Sequence, residues 1–234
     1  VVLGLEALDT GIRMLPVSVA MFVMSFVGAR MSQARSPRWI VRLGLWILLG
    51  SVLVLAGTIQ PELEGVVFGT SMALLGVGMG LLASQLGNVI QSSVGAADRS
   101  EAGGLQYTAQ QLGSSIGTAF IGAIVISSLS VAFFNQVASD PRVSDQMEDA
   151  ISVELSSSIE FISADEVEAA LADSQLTSEE ADAFLDGYRQ AQLTALRTGL
   201  VVAAAIVVGA LFLSRRIPDV SFEELAAAQT EPTG

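Results

Sequence analysis

Residues 65–92 read GVVFGTSMALLGVGMGLLASQLGNVIQS, a run without a single charged residue. At 1.5 Å of rise per residue, about 20 apolar residues cross the roughly 30 Å of bilayer hydrocarbon. The stretch therefore predicts a membrane-spanning helix. Gly76, Gly78 and Gly80 have the spacing of a nucleotide-binding fingerprint only superficially. No strand precedes them, and they lie in an apolar run of lipid length. In such a segment glycines let helices approach closely or bend.

Four more segments on either side have the same character. The first runs about Gly11 to Met31, with Pro16 in its first turns, where a missing N–H is tolerated. The second runs about Trp39 to Ile59 and is ended by Gln60-Pro61-Glu62. The fourth runs about Gly103 to Val131, and the fifth about Leu193 to Leu213. No Asp, Glu or Lys lies in any of the five, while Arg13 and Arg197 stand near ends and can snorkel. The expected fold class is an all-α membrane protein with five transmembrane helices and an outer helical loop.

Composition supports this reading. Of 234 residues 51% are hydrophobic and only 15% charged, against about 25% charged in soluble domains; the mean hydropathy is +0.59. The net charge of -13 is local, because 14 of the 24 acids lie between Asp140 and Asp186. There is no cysteine and no histidine, and all 11 basic residues are arginine. Disulfides, thiolate sites, lysine-based covalent chemistry and P-loops are excluded, and the commonest general base and metal ligand is missing. No catalytic residue, metal site or cofactor is expected, and an enzyme would lack most ways to build an acid–base or nucleophilic site, with no His, Cys, Lys or intramembrane carboxylate. Nucleic-acid binding does not suit a sequence pI near 4.2. The chain opens at Val1 with no basic n-region and no cleavage site, as expected of a cut through a longer protein.

Arginine placement sets the orientation. Arg30, Arg35, Arg38 and Arg42 fall between spans one and two, Arg99 between three and four, and Arg215 and Arg216 after five. Alternating helices put these seven on one side, the cytoplasm. The N-terminus is then outside and the C-terminus inside a cell membrane. The expected division is residues 1–133 for spans one to four, 134–192 for an acidic extracytoplasmic loop, 193–214 for span five and 215–234 for a cytoplasmic tail. Within the loop, Ser163-Ala-Asp-Glu166 and Thr177-Ser-Glu-Glu180 read as capping boxes. Each predicts a short amphipathic helix, the second running into span five.

Polarity inside the spans is uneven. In span three Gln85, Asn88 and Gln91 recur at helical spacing, as interhelical hydrogen-bond partners or as a cavity lining. Span four begins GGLQYTAQQLGSSIGTA. Ala109, Gly113 and Gly117 make a ridge of small residues for close helix packing. Gln106, Gln110, Ser114 and Thr118 form an adjacent polar stripe, flanked by Tyr107 and Gln111. A lone helix would not carry this in lipid, whereas a helix in a bundle around a wet cavity would. Gln85, Asn88, Gln106, Tyr107, Gln110 and Gln111 are the cavity candidates.

Three segments together resemble the C-terminal half of major facilitator superfamily exporters, and among these the fourteen-span drug:proton antiporters. GLEALDTGIRMLP resembles the entry to the second helix of that half. GARMSQARSPRWIVRLGL occupies the place of its basic cytoplasmic loop. VGAADRSEAGGLQYTAQQLGSSIGTA resembles the next cytoplasmic loop, with Asp98 and Arg99 in its acidic-arginine-glycine turn, and the helix that follows. The likeness runs from about Gly4 to Asp219 and rests on order and spacing. One departure is clear: the superfamily's basic loop often carries Gly-x-x-x-Asp-Arg, but Ser32 and Gln33 stand there, so the aspartate's role is not carried over. Arg30, Arg35, Arg38, Asp98 and Arg99 remain as gate or topology residues. The resemblance implies a bacterial, proton-coupled, multidrug-type exporter of amphipathic small molecules, driven by the proton gradient without a cofactor. Five of the six helices of one half would be present. The N-terminal half, which bears the coupling carboxylates in the family, would be the missing partner, and the chain alone would be inactive. The alternative reading is a non-transporting scaffold or sensor whose acidic outer loop binds a partner.

Overall fold

The computed structural model describes residues 7–58, 65–92, 94–95, 97–139 and 178–217. Among them every regular element is helical. The order is α1 (Ala7–Ala34), α2 (Pro37–Thr58), α3 (Gly65–Ser92), α4 (Arg99–Ala138) and α5 (Ser178–Leu213), closed by a 3₁₀ turn, Ser214–Arg216. All five helices are long and apolar enough to cross a bilayer.

Local chemistry explains the boundaries. Pro37 opens α2 as its first residue, where its fixed φ suits a helix and its missing N–H is no loss. The Ser36 carbonyl starts the ladder, accepting from Trp39 N at 3.0 Å and Ile40 N at 3.3 Å. Asp98 stands at the N-cap of α4, and its carbonyl accepts from Ala102 N at 2.9 Å. α1 begins four residues before the expected span, so Pro16 falls in its interior and withdraws one backbone donor there.

α3 keeps the bounds expected from its sequence, while α4 and α5 run to 40 and 36 residues. Apolar length measures the hydrocarbon crossed, and a helix continues past it until the backbone meets a stop signal. The expected division points at 133 and 192 therefore fall inside α4 and α5. The amphipathic segment after Thr177 is the first part of α5 itself. The helix expected after Ser163 lies outside the described residues.

The chain forms two compact units. One comprises Gly11–Gly117 with Val201–Gly234. Within it α3 lies between α1 and α2, and its glycines allow the approach. A Cβ on Gly76 would overlap the Val17 carbonyl of α1, and one on Gly80 would lie 2.5 Å from the Met21 carbonyl. On the side towards α2, a Cβ on Gly78 would sit 2.9 Å from the Gly44 carbonyl. Lipid gives helices no hydrophobic reason to associate, so such backbone contact supplies the dispersion that does. Ser51 adds a buried hydrogen bond from α2 to the Ser71 carbonyl, 2.7 Å.

The second unit comprises Val1–Thr10 and Thr118–Leu200. Here the end of α4 packs on the start of α5 through Leu129, Phe133, Val137, Tyr188, Ala191 and Ala195. Phe133 meets Phe184 and Tyr188 edge-on, at centroid separations of 4.8 and 5.8 Å, the arrangement favoured by ring quadrupoles. Ser128 Oγ and Thr198 Oγ1 join the two helices at 3.1 Å.

Candidate functional site

With 100° between successive residues, the first half of α4 divides cleanly. Gln106, Gln110, Ser114, Tyr107, Thr118 and Gln111 fall in one arc of about 140°. Leu105, Leu112, Ile116 and Phe120 fall opposite with Ala109 among them, Gly113 lies on the border and Gly117 just inside the polar arc. Gln110, Gln111, Ser114 and Thr118 are exposed, Tyr107 is 65% exposed and Gln106 half-buried. A Cβ built on Gly113 or on Gly117 meets nothing within 4 Å. The small-residue ridge and the polar arc thus present themselves together, with no described helix against the ridge. Thr108 is exposed as well, its hydroxyl donating to the Gly104 carbonyl one turn back at 3.0 Å.

Gln85 is in a different setting. It is fully buried, and its Nε2 donates to the Gly28 carbonyl of α1 at 3.0 Å and to Ser84 Oγ at 3.0 Å. Ser84 Oγ in turn donates to the Leu81 carbonyl at 2.6 Å. Gly28 makes room for this cluster, since a Cβ there would overlap Ser84 Oγ. Of the two sequence readings of Gln85, the geometry is that of the interhelical hydrogen bond. Its Oε1 is buried without a described partner. The side chains of Asn88 and Gln91 lie outside the described residues, although both positions are helical.

The gate or topology residues gather at helix ends. Arg30 and Arg35 are exposed near the end of α1, and the Arg35 guanidinium lies 5.4 Å from the Trp39 ring centroid. Arg38 is half-buried in the first turn of α2, and Asp98 and Arg99 are exposed at the start of α4. Sequence reasoning did not single out Gly28 or Gly44, nor the Ser128–Thr198 pair. Each is an isolated small or hydroxyl residue whose role appears only when a second helix is placed against it.

The sequence profile of the Major Facilitator Superfamily matches residues 1–118. The chain belongs to the Major Facilitator Superfamily. Comparisons with curated proteins and with solved structures give no match. Membership makes the chain part of a family of membrane transporters, and its five long apolar helices give it a lipid bilayer as its environment. The matched region takes in α1, α2, α3 and the half of α4 that carries the polar arc.

Proposed function

We propose that this superfamily member contributes part of the C-terminal half of a proton-coupled exporter of amphipathic small molecules that works by alternating access. The observation that carries the reading is the polar arc of α4. Two exposed glutamines, two exposed hydroxyls and a tyrosine lie on a membrane-length helix, beside glycines that no described side chain covers. Polar groups facing hydrocarbon are costly, so such an arc belongs against water or protein. In a transporter of two halves, each built from three-helix repeats, the central cavity supplies that water.

In this arrangement Gln106, Gln110, Gln111 and Tyr107 line the cavity, with Asn88 as a further candidate. Amide and phenol groups offer donors and acceptors to the polar end of a substrate, and Leu112 and Ile116 remain on the side facing apolar surroundings. Gly113 and Gly117 give a facing helix of the other half a flat path along which to rock. Gln85 acts as a strut that holds α3 to α1 while the halves move. The carboxylates that take up the proton come from outside these five spans. Arg30, Arg35, Arg38 and Arg99 hold the orientation with the C-terminus in the cytoplasm.

The test is efflux of a fluorescent amphipathic cation from energised cells expressing residues 1–234, with and without a protonophore. The expected result is no protonophore-sensitive efflux until polypeptide completing the second half is supplied, and its appearance then. Robust proton-dependent efflux from the chain alone would contradict the division into halves.

A further inference from the structure

At the end of the first unit where α2 begins and α5 finishes, a groove of about 380 Å³ opens between helices. Val41 and Leu45 line it from α2, Leu82 from α3, Ala210 and Leu213 from α5, and Ile217 from just beyond the 3₁₀ turn. The one polar lining residue, Ser214, turns its hydroxyl to the Leu211 carbonyl at 2.7 Å. The groove wall therefore offers no spare hydroxyl donor and suits a hydrocarbon occupant.

Arginines flank its lining residues along the chain. Arg38 and Arg42 share the helical face of Val41 and Leu45, since positions 38, 41, 42 and 45 lie within about 100° of arc. Arg215 and Arg216 are carried between two lining residues, Ser214 and Ile217. Arg215 lies over Phe212, 5.2 Å from the ring centroid, whereas neither Arg42 nor Arg216 makes an ion pair with a described residue. The order along both helices is the same. At 1.5 Å per residue, Leu45 lies about 4.5 Å deeper along α2 than Arg42, and Ala210 about 9 Å deeper along α5 than Arg216. Arg42 and Arg216 thus stand near the interfacial end of the groove, with Val41 and Ile217 slightly farther out and Leu45, Leu82 and Ala210 deeper.

We propose that this groove is a binding site for an anionic phospholipid, with one acyl chain along Leu45, Leu82 and Ala210 and the phosphate held by Arg42 and Arg216. Charge complementarity selects this occupant. An apolar helix could fill the groove but would leave the guanidinium groups unneutralised, and a zwitterionic lipid would neutralise them incompletely. A guanidinium fork also matches phosphate oxygens in geometry. Basic pockets between transmembrane helices on the cytoplasmic side are where anionic headgroups are held. The site does not depend on what the protein transports.

The chain carries its own reporters. Its two tryptophans, Trp39 and Trp46, both lie on α2 within about 60° of Arg42 in helical projection, and both are exposed. The full chain is reconstituted in phosphatidylcholine vesicles, and brominated phosphatidylglycerol is titrated in while tryptophan quenching is followed, with brominated phosphatidylcholine as reference. The expected result is at least a tenfold preference for phosphatidylglycerol, since one basic residue at an anionic surface contributes roughly fivefold. Arg42→Gln with Arg216→Gln should reduce the preference at least fivefold. Arg42→Lys with Arg216→Lys retains the charge that sets insertion and should keep most of it. Ala210→Phe, which fills the groove without changing charge, should lower the preference as well. Arg13→Gln with Arg189→Gln removes the same charge from exposed positions away from the groove and should leave it within twofold. Millimolar glycerol 1-phosphate should not reverse the quenching. Equal quenching by the two lipids, equal loss in the two glutamine pairs, or displacement by glycerol 1-phosphate would each overturn the proposal. These results would mean, respectively, a groove covered by protein, diffuse attraction to charge, or a site for free phosphate.

Discussion

Substituting Gly80 by alanine tests how α3 is held. The new Cβ would lie 2.5 Å from the Met21 carbonyl oxygen, 2.9 Å from Met24 Cβ and 3.1 Å from Met21 Cα. None of these atoms can swing aside by a rotamer change. The backbone of α1 must retreat by about 1 Å to restore contact distance, and a gap of that size forfeits a quarter to a half of each neighbouring dispersion contact. The same retreat stretches the bond from Gln85 Nε2 to the Gly28 carbonyl, now 3.0 Å. Overpacking of this kind costs about 1–3 kcal/mol, and the rigid neighbours place Gly80→Ala near the upper end. Alanine regains about 1 kcal/mol of helix propensity. The net loss is about 2 kcal/mol. Gly50 and Gly57 on α2 have nothing within 4 Å of a Cβ, so Gly50→Ala and Gly57→Ala should be neutral or slightly stabilising. The assay is unfolding in mixed micelles by increasing mole fraction of dodecyl sulfate, followed by loss of helicity. If Gly80→Ala unfolded together with the two controls, the close α1–α3 contact would be refuted.

Further outcomes follow from the same contacts. Ser51→Ala removes the buried bond to the Ser71 carbonyl and should cost about 0.6–1.7 kcal/mol in the same titration, the range measured for interhelical bonds in membranes. Gly199→Ala should cost about 1–3 kcal/mol, because the atom that its Cβ meets, Val125 Cγ2 at 2.7 Å, belongs to a β-branched side chain held to one χ1 rotamer in a helix. Gln110→Leu with Gln111→Leu should leave stability unchanged, since neither side chain is buried, yet should lower efflux at least tenfold in the completed transporter. Efflux at the parental rate would remove these two residues from the cavity.

The spans were legible because hydrocarbon thickness imposes a length and an absence of charge that composition displays directly. α3 is the clearest case, bounded in the sequence by Glu62 and Glu64 before Gly65 and by Ser93 and Asp98 after Ser92. α4 and α5 exceed their apolar runs because Glu101 or Asp182 ends contact with lipid without ending the helix. The polar arc of α4 was legible too, since a regular helix converts spacing into direction. Gln85 was ambiguous for the complementary reason: periodicity gives the face on which it lies, but not whether Gly28 or water stands opposite. Gly28 and Gly44 carry no signal of their own, because the need for a missing Cβ arises only where two backbones cross. The groove flanked by Arg42 and Arg216 joins residues more than 170 positions apart, which local pattern does not connect.

The account rests on one side of α4 facing water and the other facing an apolar surrounding. Absence of native cysteine makes this directly measurable. Gln110→Cys and Leu112→Cys lie at nearly the same depth, about 3 Å apart along the axis, and about 160° apart around it. Each is to be challenged in native membranes with a hydrophilic maleimide. The prediction is rapid labelling at 110 and little or none at 112. Protection of both positions, or equal labelling of both, would contradict a water-filled path along the polar arc.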